Sequence, residues 1–193
     1  NCRFRGLDSY AVEIGPGSLK NEISKNSFYD LGAGAVKVGG SKDLPTSENL
    51  IQDNLITSGG RIYPTGTAIL IKLSDKNIVR FNEIFDFFYT GISVGWHWGY
   101  GDTLAVDNQI LSNKIYKIGQ GVMSDLGGIY TLGVNGHTLI EGNVIHDVES
   151  YQEHNGWGIY FDEGSENVLA KNNLVYRISS GGFHQHYGKN NTV

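Results

Sequence analysis

The sequence has little of several features that would point to other classes of protein. It contains one cysteine, Cys2, which excludes an internal disulfide framework and any metal site built on several cysteines. No apolar run approaches the roughly eighteen residues that cross a membrane as a helix, so we expect no membrane partner. Only 18% of the 193 residues are charged and the formal net charge is −5, whereas a nucleic-acid binder would show a basic face. We therefore expect no nucleic-acid partner.

A helical pattern is also missing, since no apolar stripe with a period of 3.6 residues runs for a useful length. What the chain has instead is 27 glycines, 39% hydrophobic residues and 11% aromatic residues. This composition argues against disorder, because disordered chains are rich in charge and poor in aromatics. The length suits one domain, and we assign residues 1–193 to a single domain.

A short unit recurs along the chain: an aliphatic residue, two variable residues, Asn, one variable residue and another apolar residue. The asparagines of the six copies are Asn26, Asn54, Asn82, Asn113, Asn143 and Asn173, at steps of 28, 28, 31, 30 and 30. A second series runs five residues ahead at Asn21, Asn49, Asn77 and Asn108, after which Asn135 and Asn167 fall out of register. Such self-similarity at a fixed period is typical of repeat architectures.

Each unit also contains a second apolar stretch, usually opened by Gly, in which side chains alternate with the period of two that marks a strand. The copies lie at 35–38, 68–71, 91–94, 128–131, 158–161 and 182–185, with a partial earlier copy at 11–14. A propeller blade needs more residues than these units contain, and a leucine-rich repeat needs a Leu-dominated consensus that is absent. The pattern predicts an all-β fold, a right-handed parallel β-helix of six to seven coils.

Stacked coils would place residues about thirty apart directly above one another, at a spacing of roughly 4.8 Å. We expect an inward aliphatic column of Val36, Ile69, Ile92, Ile129, Ile159 and Phe183, and ladders of inward asparagines at the turns. The sequence begins and ends within the pattern, without a signal peptide. We therefore expect it to be part of a longer solenoid whose flanks carried any targeting segment.

The outward columns change character along the chain. One column reads Lys37, Leu70, Ser93, Tyr130, Tyr160 and His184, and the next reads Gly39, Lys72, Gly95, Leu132, Asp162 and His186. The first coils thus present mixed residues, whereas the last three present aromatics, a carboxylate and imidazoles. We expect the functional site on these last coils.

Insertions agree with this placement, because the spacing from Asn to the next strand grows from 9 to 15 residues in the coils of Asn113 and Asn143. The extra residues lie at 119–125 and 151–157, and protruding loops are where binding groups usually sit. Aromatic side chains along a groove suit sugar rings, whose C–H faces are apolar. We predict that sugar contacts come from Trp96, His97, Trp98, Tyr130, Trp157, Tyr160, His184 and His186.

Three acidic residues are the candidate catalytic groups: Asp125, Asp162 and Glu163. Cleavage of a glycosidic bond needs one carboxyl as acid and a second as base or nucleophile. On a straight strand Asp125 and Asp162 would lie about 20 Å apart, which is too far. The pair can act together only if residues 126–128 fold Asp125 back over the strand; otherwise Glu163 or His186 is the partner of Asp162.

His184 and His186 fall on one face of a strand, because alternate residues share a face. With Asp162 they are possible metal ligands, but a role as hydrogen-bond donors to sugar hydroxyls is favoured, and we assign no metal site and no cofactor. The chain also lacks a phosphate-binding Gly loop followed by Lys and a helix, which argues against a nucleotide.

The stretches 125–133, 158–165, 172–177 and 181–188 together resemble carbohydrate-active proteins of the pectate-lyase-like β-helix superfamily. The series DLGGIYTLG, GIYFDEGS, NNLVYR and GGFHQHYG is most similar to glycoside hydrolase family 141, whose members act on plant cell-wall glycans. The resemblance implies a secreted or periplasmic enzyme with two catalytic aspartates, which correspond here to Asp125 and Asp162.

The leading functional hypothesis is a glycoside hydrolase, monomeric, with a polysaccharide or oligosaccharide as its substrate. The first alternative is a polysaccharide lyase, which needs a cation beside a uronate carboxylate; the only basic residues near the predicted groove are Lys72, Lys117, Arg177 and Lys189. The second alternative is a glycan-binding or adhesin stalk without catalysis.

Overall fold

The computed structural model describes residues 1–193 and contains 22 short β-strands and no helix, hence none that could span a membrane. The strands form three parallel sheets, and the chain visits them in a fixed order, so that one circuit through all three makes one coil. About seven coils stack on one another. The predicted fold class, an all-β parallel β-helix, is confirmed.

The first sheet contains β1 (Arg3–Leu7), β4 (Ser27–Leu31), β8 (Leu55–Thr57), β12 (Glu83–Phe87), β15 (Lys114–Ile118), β18 (Val144–Val148) and β21 (Leu174–Ile178). The second sheet contains β2 (Val12–Ile14), β5 (Val36–Gly39), β9 (Ile69–Lys72), β13 (Ile92–Gly95), β16 (Leu126–Leu132), β19 (Gly156–Phe161) and β22 (Gly181–Gln185). The third sheet contains β3 (Glu22–Ser24), β7 (Leu50–Gln52), β11 (Ile78–Arg80), β14 (Gln109–Leu111), β17 (Leu139–Glu141) and β20 (Leu169–Lys171). A separate pair joins β6 (Thr46–Ser47) to β10 (Ser74–Asp75).

The register of the second sheet confirms the inward aliphatic column. Each member pairs with the next through parallel strands, in the order Val36, Ile69, Ile92, Ile129, Ile159 and Phe183. Similar columns from the other two sheets complete one core cluster of 29 buried residues. Burying each aliphatic side chain contributes about 1.5–3 kcal/mol, but only when neighbouring coils cover it.

The main asparagine ladder runs through all six predicted positions, from Asn26 to Asn173. In each rung one Oδ1 accepts hydrogen bonds from both the backbone N–H and the side-chain Nδ2 of the asparagine one coil earlier; for Asn113 both donors belong to Asn82, at 3.0 Å. The Nδ2 of Asn113 in turn donates to the Val79 carbonyl and to Asn143. The ladder therefore satisfies backbone groups that are buried at the turn into the first sheet.

A second ladder links Asn21, Asn49, Asn77 and Asn108 in the same way and then stops. Because Gln109 pairs with Leu139, the position in register with Asn108 is Thr138 rather than an asparagine. The side-chain Oγ1 of Thr138 and Oδ1 of Asn135 are both buried without a hydrogen-bond partner. The second ladder therefore ends at Asn108, which is why Asn135 is out of register with the series in the sequence.

The glycines that open the second-sheet strands are required by the corner between the first two sheets. A Cβ on Gly128 would lie 2.4 Å from Cγ2 of Ile145, and one on Gly158 would lie 2.3 Å from Cγ1 of Val175. These contacts are far below van der Waals distance, so any larger residue would push the sheets apart. The corner therefore brings the start of each second-sheet strand close to the core.

We predict that replacing Asn113 by Ala lowers the free energy of unfolding by about 3 kcal/mol, because it leaves the buried Asn82 N–H without its partner and removes a hydrogen bond from the Val79 carbonyl. Urea denaturation followed by circular dichroism measures the change. The control is Gln109→Ala, a half-exposed neighbour on β14. Equal stability of the two variants would contradict a structural role for the ladder.

Candidate functional site

The outer face of the second sheet carries the aromatic and polar column predicted from the sequence. Tyr130 pairs with Tyr160, which pairs with His184, so the three rings project from adjacent coils on the same side. Asp162 and His186 follow two residues later in their coils, and the His186 N–H donates to the Phe161 carbonyl in continuation of the sheet. Tyr130 and His184, which are 54 residues apart in the sequence, thus line one surface.

Asp125 joins this surface because strand β16 bends. Leu126 is buried in the core, and beyond it two consecutive positions, Gly128 and Ile129, both face inward, which interrupts the strict alternation of a straight strand. Asp125 itself has a positive φ of 58°. The Tyr160 hydroxyl donates to Oδ1 of Asp125 at 3.2 Å. The Tyr160 side chain thus reaches Asp125 from the next coil, which places the Asp125 carboxyl on the same outer face as Tyr160.

Asp162 is only 7% exposed and its carboxylate accepts several hydrogen bonds. The Tyr130 hydroxyl donates to Oδ2 at 2.5 Å, and Nδ1 of His186 lies 2.9 Å from Oδ1. Hydrogen bonding by the backbone N–H of Glu163 and by the Tyr160 hydroxyl also favours the ionised form of this carboxylate. A carboxylate surrounded by donors in this way is held in its ionised form.

The surroundings move the pKa values of the two aspartates in opposite directions. Partial burial, reinforced by the negative charge of Asp162, raises the pKa of Asp125 above its usual value. Burial alone would also raise the pKa of Asp162, but the hydrogen bonds from Tyr130 and His186 outweigh burial and lower it. Two carboxyls whose pKa values are separated by their environments are suited to separate acid and base roles.

The Tyr160 hydroxyl donates to Asp125 and also helps to lower the pKa of Asp162, so both carboxyls lie near this one hydroxyl. Two-carboxylate glycosidases need such a neighbouring pair of acids to act on one glycosidic bond.

Aromatic rings surround the acids on the remaining sides. Trp157 stacks on His184 with ring centroids 4.3 Å apart and an interplanar angle of 11°, and it also contacts Tyr160. Trp96 packs against the cluster of Tyr130, Leu132 and Tyr160. The structure thus brings together these predicted sugar-contacting residues: Trp96, Tyr130, Trp157, Tyr160, His184 and His186.

The remaining predicted residues lie on or against the segment that follows β13. His97 and Trp98 are exposed, and Trp98 meets Trp96 edge to face at 5.8 Å. Glu163 faces this segment as well, since its Oε1 would lie 3.7 Å from a Cβ on Gly99. Its carboxylate takes no part in the hydrogen bonds that join Asp125 and Asp162 to their tyrosines. These three residues form the rim beside the acids.

A groove of about 620 Å³ extends from Asp125 over the N-terminal coils. Its floor and walls include aromatic and apolar side chains that the sequence analysis did not select: Tyr10, Tyr63, Leu70, Tyr89 and Met123. Burial raises the pKa of both Tyr10 and Tyr89 to about 12, so their hydroxyls stay protonated. The groove thus lies on the outer face of the first coils, beside the last three coils on which the sequence analysis expects the functional site.

The signal that could have found this groove is another insertion. The coil of Asn54 has a spacing of 14 residues before its next strand, and this extra segment supplies Tyr63, Thr65 and Thr67 to the groove wall. Residues 123–125 from the insertion after β15 supply the end wall. The side chains come from turns whose paths depend on contacts between coils, which spacing alone does not give.

One basic residue, Lys72, lies at the edge of the groove, because its Nζ is 5.9 Å from the ring centroid of Trp96, which lines the groove. The groove lining contains no Lys or Arg. Lys117 and Arg177 line a different pocket, where Arg177 pairs with Asp147, while Lys189 pairs with Glu166. The nearest basic residue in the outward columns is Lys72, which lies over the Trp96 ring three coils before Asp162, about 14 Å away.

No group of three or more His, Cys, Asp or Glu side chains in the structure could hold a metal ion. The rings of His184 and His186 lie with their centroids 6.5 Å apart, and Nδ1 of His186 is within hydrogen-bond distance of Oδ1 of Asp162. Its contact is a hydrogen bond to a carboxylate, which becomes an ion pair when the imidazole is protonated.

Comparison with solved structures finds the same architecture in another protein. A protein described as "Glycoside hydrolase" superimposes with a TM-score of 0.80 at 20% identity, over 93% of this chain and 34% of that one. A second, described as "The complex structure of XylC with xylose", gives a TM-score of 0.45 at 16% identity, over 86% of this chain and 34% of the other. The chain spans about a third of the length of each.

Sequence comparison gives a result at the level of the family. No curated protein sequence matches the chain. The model of the family described as "Right handed beta helix region" matches residues 1–128, which is two thirds of the chain and ends just after Asp125. The predicted hand of the solenoid agrees with this description. The chain therefore belongs to the right-handed β-helix family.

Proposed function

We propose that this protein is a glycoside hydrolase that uses Asp125 and Asp162 to cleave a neutral polysaccharide of the plant cell wall or a similar complex glycan. The observation that carries the proposal is the pair of aspartates on adjacent coils, each of which accepts a hydrogen bond from a tyrosine of the other coil. The resemblance of residues 125–188 to glycoside hydrolase family 141 supports the same chemistry, and an exported location would give access to such a substrate.

The environments of the two acids suggest their roles. Asp125, whose raised pKa keeps it protonated longer, would donate a proton to the glycosidic oxygen as the leaving group departs. Asp162, held as a carboxylate, would attack the anomeric carbon or remove a proton from the attacking water. Either route breaks the bond between the anomeric carbon and the glycosidic oxygen and adds the elements of water across it.

The groove supports an uncharged substrate. From the coil of Tyr10 to the coil of Asp125 it covers four coil spacings, or roughly 19 Å. Its aromatic and apolar lining suits the C–H faces of sugar rings, and the absence of Lys and Arg from that lining disfavours a polyuronate. The same absence weighs against the lyase alternative, which needs a cation at the uronate carboxylate.

We predict that Asp125→Asn and Asp162→Asn each reduce hydrolysis of plant-wall glycans by at least about a hundredfold, because each removes one of the two proton-handling groups. Released reducing sugar measures the activity. The Asp125→Asn loss should be smaller on an aryl glycoside whose phenolate leaves without protonation. The control is Asp107→Asn, an aspartate beside His137 on the third-sheet side.

Full activity in both aspartate variants would exclude the two-acid mechanism. Unsaturated uronate in the product, detected by its ultraviolet absorbance, would identify a lyase instead. Glycan binding without turnover in the unmodified protein, unchanged by either substitution, would identify the adhesin alternative.

We also predict a bell-shaped pH dependence of kcat/KM. Activity should rise as Asp162 ionises, at a pH below the usual aspartate pKa because its hydrogen bonds favour the carboxylate. Activity should fall as Asp125 loses its proton, at a pH above the usual aspartate pKa because burial and the charge of Asp162 oppose ionisation. An ascending limb centred above the usual aspartate pKa would contradict these assignments.

We expect Tyr63→Ala to weaken the binding of neutral plant-wall oligosaccharides by about 3–10-fold, because it removes an aromatic ring from the groove wall. Calorimetric titration in the Asp125→Asn background measures affinity without turnover. The control is Phe81→Ala, an equally exposed aromatic ring at the turn between β11 and β12. Tighter binding of oligogalacturonides than of neutral chains of equal length would contradict the assigned substrate class.

A further inference from the structure

Two tyrosines connect the acids in a crossed arrangement between neighbouring coils. Tyr130 stands on β16, the strand that Asp125 precedes, but its hydroxyl donates to Asp162 of the next coil. Tyr160 stands on β19, just before Asp162, but its hydroxyl donates to Asp125 of the previous coil. The two rings meet edge to face, with centroids 5.0 Å apart and an interplanar angle of 82°.

Burial makes these contacts obligatory. Tyr130 is 4% exposed and Tyr160 is 3% exposed. Buried polar groups in folded proteins almost always have a hydrogen-bond partner, and the partners here are the two carboxylates. Burial, together with the negative charge nearby, raises the pKa of both phenols well above the usual range. Both hydroxyls therefore remain donors throughout the range in which aspartates titrate.

The two aspartates receive unequal numbers of donors. Asp162 is contacted by Tyr130, by His186, by the Glu163 N–H and by Tyr160, whereas the side-chain donor to Asp125 is Tyr160 alone. The titratable groups that face this pair from every packed element are Tyr89, Tyr130, Tyr160, His184 and His186, besides the aspartates themselves. The short contact from Tyr130 is the one that most clearly distinguishes the two carboxyls, because Tyr130 donates to Asp162 and not to Asp125.

We infer that Tyr130 and Tyr160 are positioning residues with different roles: Tyr130 keeps Asp162 as the carboxylate and so decides which aspartate holds the proton, and Tyr160 aims the protonated Asp125 toward the substrate. This inference rests on the proposed hydrolase function for its catalytic meaning. The placement of the proton is a property of the folded protein itself, and it is measurable without a substrate.

Each hydroxyl has a distinct expected effect. Tyr130→Phe removes a donor that stabilises ionised Asp162, so the pKa of Asp162 should rise by about one pH unit. The ascending limb of kcat/KM should move upward by the same amount. Tyr160→Phe removes the donor from Asp125, so the pKa of Asp125 should rise and the descending limb should move upward.

The experiment is a titration of the aspartate carboxyl carbons by NMR in protein labelled at those carbons. The two signals are assigned from the spectra of Asp125→Asn and Asp162→Asn. The control is Tyr116→Phe, which removes a hydroxyl donated to Glu83 on the first sheet and leaves its ring stack intact. A thermal midpoint for each variant reports whether the fold is retained, and Tyr→Phe keeps the ring that packs.

We expect the Asp162 signal to shift its midpoint upward in Tyr130→Phe, and to keep it in Tyr116→Phe. An unchanged Asp162 midpoint in folded Tyr130→Phe would overturn the inference, whatever the activity of the protein. A descending limb of kcat/KM that stays in place in folded Tyr160→Phe would also overturn it. A shifted midpoint in a protein without hydrolytic activity would support the proton placement and contradict the proposed function.

Discussion

The hydrogen bond from one asparagine side chain to the next coil is the interaction on which the rest of the structure depends. From Asn54 onward, each Oδ1 in the main ladder accepts from the backbone and the side chain of the asparagine one coil earlier, and these groups are buried between Asn54 and Asn143. A slip of one residue would leave several buried donors without partners. The ladder therefore holds the coils in register, and the aliphatic columns then stack without gaps.

The candidate site is a consequence of that register together with one bend. Register alone places Tyr160 beside Tyr130 and His184. The bend at Gly128 comes shortly after Asp125, whose Oδ1 accepts a hydrogen bond from the Tyr160 hydroxyl of the next coil. Because the two acids come from adjacent coils of a rigid stack, their separation is set by the backbone, and the tyrosines only adjust direction and proton affinity.

Much of this could be predicted from the sequence because a solenoid converts spacing into contact. The asparagine series that starts at Asn26 and the inward aliphatic column together identified the fold. Alternation along the strand correctly placed His184 and His186 on the same face as Tyr160. The bend at 126–128 could only be stated as a requirement, because it depends on how Gly128 packs against Ile145 in the next sheet. The groove was missed because Tyr10, Tyr63 and Tyr89 lie in turns between strands, where no periodic rule gives the direction of a side chain.

In each coil the strands determine the stacked core, whereas the longer turns determine the shape of the outer face. The strands build the core and flank the acids, with Asp125 just before β16 and Asp162 just after β19, whereas the segment at 58–68 forms a groove wall that rises from the outer face. Changes of length in this segment alter the shape of the wall while the ladder keeps the strands stacked. Exchange of this turn between related solenoids is thus a route to new glycan selectivity that leaves the distance between the carboxyls untouched.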